Sequence, residues 1–129
     1  MPISRQHAET RIVELSGWQC EHLLALPSEY ADVITVLYLK ADGLWFRFFI
    51  DAGVLFFDEC DGPDPEDDLS PGEQYCNVGD KCGCSGDVIE LIDMRNKTLR
   101  IAFASGRMIT LSEQEDGETR LNCGCVHSY

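Results

Sequence analysis

The chain has 129 residues, 44% of them hydrophobic, which suffices for a single domain over residues 1–129 with a core of its own. Twenty-three acidic residues against ten basic ones give a formal net charge of −13. This charge repels nucleic acid phosphates and anionic membranes, so we expect no binding to either. It favours a basic protein partner. Acidity that only keeps the protein soluble is the competing interpretation.

The sequence predicts neither a signal peptide nor a membrane span. Residues 1–26 lack the cationic start and unbroken apolar run of a signal peptide. The longest apolar tract, 44–57, is interrupted by Arg47 and Asp51 and is too short to span a membrane. Seven cysteines without the spacing of a disulfide scaffold are typical of reduced thiols. We therefore predict a cytoplasmic protein.

The N-terminal segment allows two interpretations. Residues 4–15 carry apolar side chains near helical spacing, yet 11–15 also fits a short strand. Residues 18–26 are apolar on several sides and stop at Pro27, which favours a short helix. We expect one or two short helical segments here.

Strand signals dominate the rest of the chain. Segments rich in β-branched and aromatic residues lie between turn signals at 33–39, 44–50, 54–57, 88–92, 99–103, 108–111 and 119–123. Turns at 41–43 and 51–53 join the first three segments into a meander. The pattern predicts a mainly β, α+β domain with about seven antiparallel strands in a sandwich or strongly bent sheet.

Two segments of the chain align without gaps. Residues 46–56 match 99–109, with Arg47 on Arg100 and a glycine coinciding in each turn. Any two hairpins share such a pattern by period alone, so chance is one explanation. A true repeat predicts two similar hairpins that face each other, with the two arginines in equivalent positions.

An acidic segment at 58–75, interrupted by prolines, is predicted to be an exposed loop. It lacks the ordered oxygens and central glycine of an EF-hand, so calcium binding is not indicated. A solvated loop is the simplest interpretation. The alternative is contact with a basic partner through Asp58, Glu59, Asp61, Asp64, Glu66, Asp67 and Asp68, with 113–118 as a second acidic loop.

Aromatic residues concentrate in the second predicted strand. Alternation places Trp45, Arg47 and Phe49 on one face and Phe46 and Phe48 on the other. Either a second layer covers both faces, or one face is an interface; the first interpretation is favoured because large apolar residues are usually core. Tryptophan and arginine are enriched at binding hot spots, so Trp45 and Arg47 are candidate partner-binding residues.

Two Cys-Gly-Cys units offer four thiolates, Cys82, Cys84, Cys123 and Cys125, for a candidate zinc site. The spacing is short, because zinc ligands usually lie two to four residues apart and strand positions i and i+2 are about 6.5 Å apart. Buried free thiols are the alternative, and no other cofactor is indicated. The spacing and acidic surroundings also disfavour dithiol redox catalysis.

Catalytic signatures are absent from the sequence. It holds no Gly-x-Ser-x-Gly elbow and no phosphate-binding glycine loop. The three histidines, His7, His22 and His127, lie near the chain ends, far in sequence from most candidate nucleophiles. We therefore expect a protein that is not an enzyme.

The segment 44–53, followed by 99–103 and 106–111, resembles small acidic bacterial proteins of immunity (toxin antidote) or uncharacterised type. The resemblance covers about residues 33–121 and rests on hairpin patterning. It implies an inhibitor that binds a toxin, such as a nuclease, one to one. It carries over no catalytic residues, and the Cys-Gly-Cys units are not part of it.

Overall fold

All seven predicted strand segments form strands in a computed structural model, which describes residues 4–27, 33–63 and 74–125. The described part holds eleven strands and one short helix, so the predicted count of about seven strands is too low. The elements are β1 (Ser4–His7), β2 (Thr10–Arg11), β3 (Cys20–Pro27), β4 (Ile34–Ala41), β5 (Leu44–Asp51), β6 (Val54–Cys60), β7 (Cys76–Asn77), α1 (Val78–Lys81), β8 (Ile89–Arg95), β9 (Thr98–Phe103), β10 (Arg107–Glu113) and β11 (Thr119–Cys125).

The strands form two antiparallel sheets. The six-stranded sheet has the order β1-β6-β5-β4-β3-β7, and the five-stranded sheet has the order β11-β10-β9-β8-β2. Buried residues of both sheets belong to one contiguous core, as in a sandwich. The mainly β prediction is confirmed.

Side-chain alternation decides which face of β5 is buried. Phe46 and Phe48 are fully buried, and both rings pack against Phe57 of β6, at centroid distances of 5.7 and 4.9 Å. Leu99 and Ile101 of β9 belong to the same core from the five-stranded sheet. Burial of such side chains contributes about 1.5–3 kcal/mol each, so this face holds the two sheets together.

The predicted N-terminal helices are wrong for the described residues. Residues 20–27 form β3, which pairs antiparallel with β4 and presents Leu23 and Ala25 to the core. Leucine and alanine favour helix intrinsically, but pairing along a whole neighbouring strand outweighs a preference of a few tenths of a kcal/mol per residue. Residues 4–7 and 10–11 also form strands.

The short helix α1 was not predicted. Asn77 caps it, because the side-chain oxygen accepts a hydrogen bond from the Asp80 N–H at 3.0 Å. Four residues leave too short a period to recognise in the sequence. Among the described residues, no helix has the length and apolar character that crossing a membrane requires.

Candidate functional site

One face of the six-stranded sheet points away from the core and carries three of the nine partner-binding residues predicted from the sequence. We call it the outer aromatic face and define it by Tyr38, Lys40, Trp45, Arg47, Phe49, Phe56 and Asp58. Strand register places these side chains in rows across β4, β5 and β6, with Tyr38, Arg47 and Asp58 in the central row. The structure therefore brings Trp45, Arg47 and Asp58 onto one surface.

The central row contains an ion pair. Arg47 Nε donates to Asp58 Oδ1 at 3.0 Å and Nη2 donates to Oδ2 at 2.6 Å, a two-pronged geometry that fixes both side chains. The hydrogen bonds to Asp58 raise the pKa of Arg47. The Tyr75 ring packs edge-on against Tyr38 in the same row, with centroids 6.1 Å apart. Contacts within the chain thus fix the side chains at the centre of the face.

Aromatic groups stand on both sides of this ion pair. At one end His22 stacks on Trp45 with ring centroids 6.0 Å apart, and Lys40 Nζ lies 5.8 Å from the Trp45 ring. At the other end Phe49 and Phe56 stack with centroids 4.7 Å apart and planes 4° apart. These stacked pairs hold flat apolar surfaces in fixed positions, as binding anchors require.

The favoured interpretation, in which a second layer covers both faces of β5, does not hold for the described residues. The five-stranded sheet packs on the side of Phe46 and Phe48. No described strand lies over Trp45, Arg47 and Phe49, which all keep partial exposure. Described residues therefore cover the outer aromatic face only in part, because Trp45, Arg47 and Phe49 stay partly exposed whereas Tyr38, packed against Tyr75, is 6% exposed.

The predicted acidic contacts fall into two groups. Asp58 and Glu59 belong to β6, which runs to Cys60, so the strand continues three residues past its predicted end. Asp61 is exposed just beyond the strand. The remaining predicted contacts, Asp64, Glu66, Asp67 and Asp68, lie outside the described residues.

The second acidic segment, 113–118, has a structural role in part. Glu113 Oε1 accepts a hydrogen bond from the Gly53 N–H at 2.8 Å, which ties β10 of one sheet to the β5–β6 turn of the other. Glu118 pairs with Arg120 at 3.3 Å. The exposed carboxylates of this segment are therefore those at its tip, Glu115 and Asp116.

The five-stranded sheet carries a matching ion pair on its own outer side. Arg100 Nε and Nη2 donate to the two oxygens of Asp93 at 2.9 and 2.6 Å. Both aligned arginines thus point outward from the first strand of a hairpin, and each forms a two-pronged ion pair. The carboxylate partner of Arg47 lies on the following strand, β6, whereas that of Arg100 lies on the preceding strand, β8. The two ion pairs have different surroundings. The side chains next to Arg100 on its face, such as Thr110 and Ala102, are small or polar, whereas those next to Arg47 are aromatic.

The two Cys-Gly-Cys units meet through one covalent bond. Cys82 forms a disulfide with Cys123 across 6.0 Å between Cα atoms, so these two are not the reduced thiols expected from the sequence. Sequence spacing gave no indication of this pairing, because the cysteines are 41 residues apart. Gly83 bends the first unit with a φ of +75°, while Gly124 continues β11.

Cys84, another member of the predicted zinc set, does not form a metal-binding group with these sulfurs. Cys84 is buried near Cys20, and burial raises the pKa of Cys84 and raises that of Cys20 to about 12. The side chain of Cys125 lies outside the described residues. Within the described ranges, no three histidine, cysteine or acidic side chains are placed to hold a metal ion together.

A cleft of about 450 Å³ lies between residues 17–21 and the β4–β5 turn. The cleft brings together the carboxylates of Glu21 and Asp42 beside Trp18, and no histidine or cysteine is among its described lining residues. Glu21 accepts a hydrogen bond from the Gly43 N–H at 2.7 Å, so this carboxylate orders the turn. The neighbouring His22 does not take part in ordering this turn, because its ring stacks on Trp45.

Comparison of the chain with protein family models, with curated proteins and with solved structures finds no match. The outer aromatic face and the cysteine arrangement must therefore be interpreted from their own geometry.

Proposed function

We propose that this chain is a non-enzymatic acidic binding protein, an immunity-like inhibitor that docks a basic protein on its outer aromatic face. The observation that supports this most is the row of partly exposed, pre-stacked aromatic side chains around a fixed Arg47–Asp58 pair. Several large aromatic side chains that stay partly exposed on one face are typical of an interaction surface. The net charge of −13 supports a basic partner over an acidic one.

Binding would proceed in two steps. The negative field first draws a basic protein toward the chain, which raises the association rate at low salt. Trp45 and Phe49 then provide apolar anchors, while carboxylates at the two ends of the face, Asp61 and Asp51, remain available for lysine and arginine side chains. Both oxygens of Asp58 already accept from Arg47, so this pair orients the surface and adds little charge.

The test is an affinity comparison with a basic protein encoded by a neighbouring open reading frame, which is the position expected of a toxin that an immunity-type protein inhibits. The double variant Trp45→Ala/Phe49→Ala removes both anchors and should weaken binding by a hundredfold or more, at about 1.4–2 kcal/mol per anchor. Met108→Ala removes a partly exposed side chain from the outer side of the other sheet and should leave the affinity unchanged. Equal losses in both variants would refute the proposed face.

Salt separates the two steps. Raising the ionic strength shortens the Debye length from about 10 Å at 0.1 M to about 3 Å at 1 M, so the association rate should fall steeply while dissociation changes little. An association rate that is independent of salt would contradict steering by the acidic surface.

A further inference from the structure

Three cysteines share one small cavity at the end of the domain where α1 approaches β11. The cavity has a volume of about 140 Å³ and is lined mainly by apolar side chains together with Cys76, Cys82 and Cys123. Two of these sulfurs form the disulfide, and the third, Cys76, is a free thiol. A free thiol that lines the same cavity as a disulfide can exchange with it when the thiolate reaches one of the two bonded sulfurs.

We propose that Cys76, Cys82 and Cys123 form an exchange site in which Cys76 takes over the bond to Cys82. The Cys76 thiol first loses its proton to water, and the thiolate attacks Cys82 Sγ. A Cys76–Cys82 bond forms as the Cys82–Cys123 bond breaks, and Cys123 leaves as a thiolate that takes a proton from water. One disulfide and one thiol exist before and after, so no external oxidant or reductant is needed.

The surroundings favour attack at Cys82 over attack at Cys123. The leaving sulfur carries negative charge, and Cys123 is exposed to water that stabilises this charge. Cys76 and Cys82 are both half-buried against the core. They also lie at the two ends of one segment, because β7 leads directly into α1 and the Cys82 N–H donates to the Val78 carbonyl at 2.8 Å.

The exchange would release a link between the two sheets. The Cys82–Cys123 bond joins the segment after β7, at the edge of the six-stranded sheet, to β11, at the edge of the five-stranded sheet. After exchange β11 keeps its pairing with β10 and a bridge from Arg120 to Val33. Cys123 would become an exposed thiol, open to reaction with other thiol-reactive compounds.

Disulfide mapping of the full oxidised chain tests the exchange site. The protein is held at about pH 5 or at about pH 8.5, where thiolates are scarce or plentiful, then alkylated at low pH and digested with trypsin. Cleavage after Arg47, Lys81, Arg95 and Arg120 yields peptides 48–81, 82–95 and 121–129, which carry Cys76, Cys82 and Cys123 respectively. The resident bond links 82–95 to 121–129, and the exchanged bond links 48–81 to 82–95.

We expect the 48–81/82–95 species to rise at least about tenfold from the lower to the higher pH in the wild-type chain. Cys60 shares peptide 48–81 but lies on β6, so Cys60→Ser is the matched control and should leave the yield unchanged. Cys76→Ser should abolish this species. Recovery of Cys82 only with 121–129 at both pH values, or persistence of the species in Cys76→Ser, would overturn the exchange site. The wild-type comparison stands even where a variant folds poorly.

Discussion

The two ion pairs provide a controlled test of how burial sets the energy of a salt bridge. The arginines match, with side-chain exposures of 41% for Arg100 and 39% for Arg47, and both pairs are two-pronged. The carboxylates differ, at 6% exposure for Asp93 and 31% for Asp58. Replacing either arginine by methionine keeps the apolar stem and lowers the net charge by the same single unit. The difference in unfolding free energy between the two variants therefore measures the effect of carboxylate burial.

Arg100→Met leaves Asp93 buried without its two charged donors, which should cost about 2–3 kcal/mol of unfolding free energy. Arg47→Met leaves a carboxylate that water reaches, and the cost should be at most about 1 kcal/mol. With an unfolding entropy of about 2.1 cal/mol/K per residue, a difference of about 1.5 kcal/mol corresponds to roughly 5 °C in Tm.

Urea unfolding followed by tryptophan fluorescence and a thermal scan measure both variants. Adding Asp93→Asn to Arg100→Met removes the stranded charge, and we expect it to restore at least half of the lost free energy. Equal losses for the two arginines, or a larger loss for Arg47→Met, would refute the argument from burial.

The remaining predictions concern the cysteine-rich end of the domain. Gly83→Ala should destabilise the fold by about 1–2 kcal/mol in the same unfolding assay, because Gly83 has a φ of +75° and a Cβ there would lie 2.9 Å from Arg107 Nε. Gly124 has open space around it, so Gly124→Ala is the control and should change the unfolding free energy by less than about 0.5 kcal/mol. Burial raises the pKa of Cys20 from 9.0 to about 12, so the folded state holds a proton that the unfolded chain loses in this window. The unfolding free energy should therefore be unaffected by Cys20 below about pH 9 and should fall by up to about 1.4 kcal/mol per pH unit toward pH 12. Cys20→Ala should reduce this slope between about pH 9 and pH 10.5. An unchanged slope in the variant would exclude Cys20 as its source. The disulfide occupies two of the four sulfurs of the predicted zinc site. Protein purified without added zinc and with the Cys82–Cys123 bond intact should therefore carry less than about a tenth of an equivalent of zinc by elemental analysis. A full equivalent of zinc would contradict this prediction.

The part of the fold that the sequence predicts well is the part built from local hairpins. In β5 and β6 the alternation of large apolar residues and the tight turn between them specify strand type, register and inward face together. The turn residues Ala52 and Gly53 both have positive φ, as a two-residue hairpin turn requires. Such information lies within a few residues along the chain.

Long-range pairing explains most of what the sequence does not predict. The apolar run in β3 fits a helix or a strand, and only its pairing with β4 decides the outcome. The Cys82–Cys123 bond likewise depends on how α1 lies against β11, which no spacing rule contains. For the candidate site, alternation correctly placed Trp45 and Phe46 on opposite faces of β5. The prediction of a second layer over the face of Trp45 was not based on any pattern in the sequence, because the number of packed layers depends on long-range contacts.

Side-chain oxidation footprinting of the complex is the most direct test of the proposal that the outer aromatic face binds a basic protein. Hydroxyl radicals modify exposed aromatic and sulfur-containing side chains, so Trp45, Phe49 and Phe56 report on one sheet and Met108 on the other. With the basic partner bound, we predict that modification of the three aromatic side chains falls several-fold while Met108 is unchanged. Protection of Met108 with unchanged modification of Trp45 and Phe49 would contradict the account.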